Sequence, residues 1–97
     1  MMELRPHYVT ETQTLRRVAN NPKCRLRFTA HALDEMKADG WTAPDIQFAL
    51  MNGHVVLHET KKDLLWRVEG GDLDGRRITV IVAVYELTIE IKVVTAF

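Results

Sequence analysis

The sequence predicts an α+β domain in which two to three N-terminal helices pack on one face of a four-stranded antiparallel sheet. Three observations carry that reading. The last third of the chain, Asp63 to Phe97, alternates apolar and polar residues with a period of two, the pattern of strands that put one face on a core and the other toward water. The first half carries helix caps and helix stops instead. These helical patterns precede the strands rather than alternating with them, which gathers the helices on one side of an antiparallel sheet.

In chain order, Arg5, Pro6, His7 and Tyr8 read as an irregular lead-in. Thr10 and Gln13 stand at capping-box spacing and open a helix from about Glu11 to Ala19, with Leu15, Val18 and Ala19 as its apolar stripe. Asn20-Asn21-Pro22 ends it, because proline disfavours helix in the residue before it. Cys24, Leu26 and Phe28 then alternate with Arg25 and Arg27 in a short extended segment suited to a sheet edge. Thr29 caps a second helix, Ala30 to about Ala38, which buries Ala32, Leu33 and Met36 and stops at Gly40. Trp41 anchors the turn into a third helix, opened by Thr42, with Pro44 in its first turn and Asp45 against its positive end. Asn52-Gly53 closes it.

Four strands follow. His54 to Glu59 is the first, with Val55 and Leu57 facing away from His54, Val56 and His58. The turn Thr60-Lys61-Lys62-Asp63 leads to a second, in which Leu64, Trp66 and Val68 oppose Leu65, Arg67 and Glu69. Gly70, Gly71, Asp72, Asp74 and Gly75 mark the next reversal. In the third strand Ile78, Val80, Val82 and Val84 oppose Arg77, Thr79, Ile81, Ala83 and Tyr85. A very tight turn at Glu86 then sets Leu87, Ile89, Ile91 and Val93 against Thr88, Glu90, Lys92 and Val94.

Composition narrows the classes of function. The chain has 97 residues, 46% hydrophobic and 27% charged, which is one ordinary globular domain spanning residues 1–97. Cys24 has no second thiol to pair with and no base signalled beside it, so it reads as a small buried hydrophobe of a reducing compartment. No stretch approaches the ~18 apolar residues of a membrane span, and MMELRPH has no apolar signal core, so the expectation is a cytoplasmic protein without a membrane partner. Lys+Arg and Asp+Glu number 13 each, and zero net charge argues against a general nucleic-acid binder, whose affinity comes from phosphate neutralisation. The distribution tempers this: Arg5, Arg16, Arg17, Lys23, Arg25 and Arg27 crowd the first 28 residues, while Asp34, Glu35, Asp39, Asp45 and Glu59 dominate the next 32.

If the apolar face of the sheet meets the helices, the open face carries Arg67, Glu69, Arg77, Thr79, Tyr85, Glu90 and Lys92, with His58 and Lys61 near its rim. Cations beside a tyrosine and a histidine suit a metal-independent ribonuclease. Arginine clamps the phosphate, a base takes the 2′-hydroxyl proton, and a donor protonates the leaving oxygen. The competing reading is a solvated face, with Arg67 paired to Glu69 or Glu90 and Arg77 to an acid such as Asp74. His31 and Glu35 share a helix face four residues apart, so His31 either bonds locally or lines a site. A metal site there would want a third ligand, and neither HExxH nor paired cysteines occur. Trp66 shares its face with Leu64 and Val68 and reads as packing.

The stretch RFTAHALDEMKADGWTAPDIQFALMNGHVV, followed by LLWRVEG and GRRITVIVAVYELTIEIKVVTAF, resembles a widespread group of small bacterial proteins of unknown function that looks related to RelE-fold toxins, including the BrnT and MqsR types. The lead-in RPHYVTETQTLRRVANN, the lone Trp66 and Ile78 to Ile81 are similar to MqsR in particular. The resemblance implies a RelE-like α+β fold, cleavage of messenger RNA without a cofactor, and a cognate antitoxin as partner. It sets His58 where those toxins carry a lysine and Arg67 where they carry a glutamine. It sets Gly75 near their tyrosine and leaves Lys92 as the nearest counterpart of their C-terminal lysine. Cleavage would therefore use a set of its own, Arg67, Arg77, Tyr85 and Lys92 with His58, and Lys61, Lys62 and His31 would assist binding. The alternative function is a non-catalytic protein-binding module of the same fold that uses this open face or the edge at Cys24 to Phe28.

Overall fold

A computed structural model describes residues 8–59 and 64–97, with His58 and Glu59 described by their backbone. The elements run α1 (Val9–Ala19), β1 (Arg25–Phe28), α2 (Ala30–Asp39), α3 (Ala43–Asn52), β2 (His54–Glu59), β3 (Leu65–Gly71), β4 (Arg77–Tyr85) and β5 (Glu90–Ala96). The architecture is α+β, with the helices on one face of the sheet as expected. The sheet itself differs from expectation. It is five-stranded and mixed, in the order β1-β5-β4-β3-β2, and the extended segment of Arg25–Phe28 lies parallel to β5. Parallel neighbours need a long crossover between them, and α2, α3 and the β2–β4 meander supply one.

The helix ends follow local chemistry in two cases of three. Thr29 Oγ1 accepts from Ala32 N at 3.0 Å and donates to Val94 O at 2.9 Å, so one hydroxyl caps α2 and ties it to β5. Gly40 ends that helix in the left-handed region at φ 76°, where a side chain would be strained. In α3, Thr42 and Asp45 form a reciprocal capping box, each side chain accepting from the other's backbone N–H. The Thr10–Gln13 box does not form, since α1 starts at Val9 behind Tyr8 with no side-chain cap, leaving Thr10 inside the helix. Thr12 of this helix instead accepts from Val55 N at 3.0 Å and fixes the start of β2.

Leu15, Val18, Ala32, Met36, Ile46, Ala49 and Leu50 close over Val55, Val68, Ile78, Val80, Val82, Ile91, Val93 and Ala96 in one buried cluster. Trp66 packs against it, while Leu33, expected in the stripe of α2, is half exposed. Helix α3 lies almost on the sheet backbone. A Cβ at Gly53 would stand 2.4 Å from Ala49 O, and one at Gly70 2.8 Å from the same oxygen.

Two irregularities shape the sheet. An extra residue, Val56, bulges β2 against β3, so Leu57 pairs with Arg67 and His58 with Trp66, and the simple alternation expected of this strand is broken. The β4–β5 reversal is longer than expected. Strand β5 begins at Glu90, Leu87 is fully exposed, and Ile89 sits at φ 53°, an unusual conformation for a β-branched residue. Ile89 O accepts from Arg25 N at 3.0 Å, which begins the β1–β5 pairing at this turn. Beyond the end of β1, Glu35 Oε1 accepts from Ala96 N at 2.8 Å in place of a strand. No helix of the described residues is long and apolar enough to cross a membrane.

Candidate functional site

The strand registers order the open face into rows. Glu69 lies opposite His54 and Thr79, and Thr79 exchanges two backbone hydrogen bonds with Phe97. Leu57, Arg67, Ile81 and Thr95 make the next row, then Ala83, Lys92 and Arg27, then Tyr85, Glu90 and Arg25. Arg77 stands at the far end, opposite Gly71. Side chains in one row lie on one face, so among the described residues Arg25, Arg27, Arg67, Arg77 and Lys92, five cations, share the face with two carboxylates, Glu69 and Glu90. The chain as a whole is neutral, so its charge is segregated.

The expected set is divided along this face. Tyr85 and Lys92 are diagonal neighbours, joined by Arg25, Arg27 and Glu90. Arg27 Nε lies 2.7 Å from Glu90 Oε2, whose carboxylate is mostly buried. Arg67 and Lys92 are separated by β4 and stand in consecutive rows, two residues apart along the strands, a Cα distance of about 12 Å. Arg77 stands eight residues before Tyr85 on β4, about 27 Å away, and is almost wholly exposed. One catalytic constellation therefore cannot include both Arg77 and Tyr85. The reason is the length of β4, which the period of two does not report.

Around Arg67 the surface is concave. Val56, Leu57, Arg67 and Glu69 line a hollow of about 470 Å³. The guanidinium carbon of Arg67 lies 5.3 Å from the centre of the Phe97 ring, and its buried Nε has no hydrogen-bond partner among the described residues. The solvated-face reading expects Arg67 to pair with Glu69 or Glu90, and instead Glu90 lies beside Arg27 and Glu69 beside Arg77. The acid beside Arg77 is Glu69, at 3.9 Å, rather than Asp74.

The other expected residues fall elsewhere. His31 belongs to the helical layer, where its Nε2 is 3.3 Å from Glu35 Oε2, so it bonds locally and does not join Arg67 or Lys92. Register puts His58 opposite Trp66, a core-facing residue, and its side chain lies outside the described residues, as do Lys61 and Lys62. Arg25, Arg27 and Phe97 had not been expected at the site. The alternation of the two arginines with Leu26 and Phe28 was the available signal, but nothing local revealed their strand partner.

The two most buried carboxylates hold the scaffold. Asp72 Oδ2 accepts from Trp41 Nε1 at 3.0 Å and Arg76 Nε at 2.8 Å, while Oδ1 accepts from the backbone of Asp74 and Arg76. Burial alone would raise its pKa, but the bonds from Arg76, Trp41 and Asp74 outweigh it and hold the carboxyl below the ordinary range. Asp45 is lowered likewise by N–H donors from Thr42 and Leu73, the latter 3.1 Å from Oδ1. Together they clamp the β3–β4 turn to the α2–α3 corner, with Arg76 also 5.6 Å over Trp41. Cys24 is half-buried, and burial pushes its thiol pKa up, away from nucleophilic use.

Fold and site thus define a small α+β domain with a helix-covered apolar face and an open cationic one. The family model of the domain of unknown function DUF4258 matches residues 28–97, from the end of β1 to the C-terminal Phe97, and the chain belongs to that family. Neither the curated proteins nor the solved structures give a match.

Proposed function

We propose that the protein is a cytoplasmic, metal-independent endoribonuclease of RelE-like type, the toxin of a toxin–antitoxin pair, and that it takes messenger RNA on its open sheet face. The observation that supports this most is the segregation of five cations and two exposed aromatics, Tyr85 and Phe97, onto one face of a neutral chain. Phosphates need the former and unstacked bases the latter. The resemblance drawn from the sequence adds the toxin role and the antitoxin partner.

The chemistry falls to the Tyr85, Glu90, Arg25 row and the adjoining Lys92 and Arg27. The Glu90 carboxylate takes the 2′-hydroxyl proton as that oxygen attacks phosphorus, and the P–O5′ bond breaks. Tyr85 gives its phenolic proton to the departing 5′-oxygen. Lys92 and Arg27 carry the charge growing on the phosphoryl oxygens. Arg67 contacts the RNA farther along the face.

The test is incubation of the purified protein with messenger RNA in excess chelator. Fragments ending in 2′,3′-cyclic phosphate, lost in Glu90→Gln, are expected. RNA left intact at micromolar protein, with no growth arrest on expression, removes the proposal. The second reading, a non-catalytic protein-binding module of the same fold, is favoured by one feature: Arg27 and Arg77 already have carboxylates beside them. It predicts that Arg67→Ala weakens a protein complex while no RNA changes.

A further inference from the structure

We infer that the hollow between β2 and β3 is a base pocket selective for guanine, an inference that rests on the ribonuclease reading of the same face. Its described lining combines three kinds of group. Leu57 is exposed and apolar and lies directly opposite Arg67, offering a surface for the flat side of a base. Arg67 offers its terminal guanidinium nitrogens, unclaimed by any described carboxylate, in a side chain whose Nε is buried and whose guanidinium carbon is stacked 5.3 Å from the Phe97 ring centre. Glu69, two residues on along β3 and on the same side, offers a half-exposed carboxylate whose one described ion pair, to Arg77, is long at 3.9 Å.

A donor fork and a carboxylate about 7 Å apart at their Cα atoms match the two edges of one base and mismatch the others. Guanine presents N1–H and the N2 amine side by side, which a carboxylate accepts bidentately, and its O6 and N7 acceptors lie on the adjoining edge for an arginine. Adenine and cytosine each set a ring acceptor beside their amine, which the carboxylate repels. Uracil has one N–H between two carbonyls. At about 470 Å³ the hollow is within the ~300–1,000 Å³ of ordinary small-molecule sites and leaves room for a purine nucleotide. The neighbouring cations Arg77 and Lys92 lie on the same face for the flanking phosphates.

The test titrates the purified full chain with the 5′-monophosphates of guanosine, inosine, adenosine, cytidine and uridine, followed by calorimetry. Guanosine monophosphate is expected to bind at least about tenfold tighter than the adenosine, cytidine and uridine compounds, with the inosine compound, which lacks the N2 amine, between them. Glu69→Gln, at a solvated position that leaves the thermal midpoint in place, should abolish that preference, and Arg67→Lys should weaken the guanosine compound most. No binding of any nucleotide, equal binding of the adenosine compound, or a preference that survives Glu69→Gln overturns the inference. RNA cleaved without regard to guanine defeats the pocket and spares the nuclease, whereas guanine-selective binding with no cleavage does the reverse.

Discussion

The guanidinium of Arg67 rests 5.3 Å over the ring of Phe97, although the two residues belong to opposite ends of the final meander and are separated in the sheet by β4. An arginine stacked in this way is fixed in direction while its terminal nitrogens stay free for an anion. Phe97→Ala should therefore weaken single-stranded RNA binding by about three- to tenfold, the worth of a modest cation–π contact, with little change in thermal midpoint. Fluorescence anisotropy with a labelled oligonucleotide measures it. Unchanged affinity would mean that the stacking has no part in binding.

Asp72 makes a different kind of prediction, because its four N–H partners belong to the turn and to Trp41. Its folded pKa lies below the unfolded value of 3.8, so its contribution is fully present above that pH and disappears as the pH falls through the folded value. Thermal midpoints recorded from pH 7 down to pH 2 should fall through the acid range, and Asp72→Asn should start lower and fall less steeply. It should lose more midpoint at neutral pH than Glu86→Gln, which removes only the exposed pair to Arg17.

Close packing of α3 on β3 is tested at Gly53. A Cβ there would meet Ala49 O at 2.4 Å and Glu69 O at 2.8 Å, both backbone atoms that cannot swing aside. Gly53→Ala should cost about 1–3 kcal/mol in urea unfolding, the range for overpacking a tight contact. A neutral result would show that the helix rides higher than described.

Much of this architecture was legible in the sequence, and what was missed has identifiable causes. Thr29, Gly40, Thr42 and Asp45 act within one turn of the residues they serve, so their spacing was enough to place α2 and α3. The face carrying Arg67, Arg77, Tyr85 and Lys92 followed from a period of two, which survives in β3, β4 and most of β5. The pairing of β1 with β5 was invisible because its partners stand 65 residues apart, as in Arg25 with Glu90 and Leu26 with Ile91. The bulge at Val56 reset the phase of β2 without a glycine to announce it. Asp72 was read as a turn former, since nothing local indicates that Trp41 would bring an indole N–H to it.

Along the RNA path, each phosphate contact contributes to the salt dependence of binding. For single strands the slope of log K against log salt changes by about 0.7 per phosphate neutralised. Lys92→Ala, at a half-buried cation with no described ion pair, should reduce the slope by about that amount. Arg77→Ala, at a cation already beside Glu69 and at the far end of the face, should reduce it less.

Charge reversal on the two layers shows whether RNA binds on the open sheet face. The affinity of single-stranded RNA should be compared for Arg67→Glu/Lys92→Glu and for Lys23→Glu/Lys37→Glu, the latter pair exposed and outside that face. At least about a tenfold loss is expected for the first pair and less than about twofold for the second. Equal losses, or a larger loss on the helical side, would contradict RNA binding on that face.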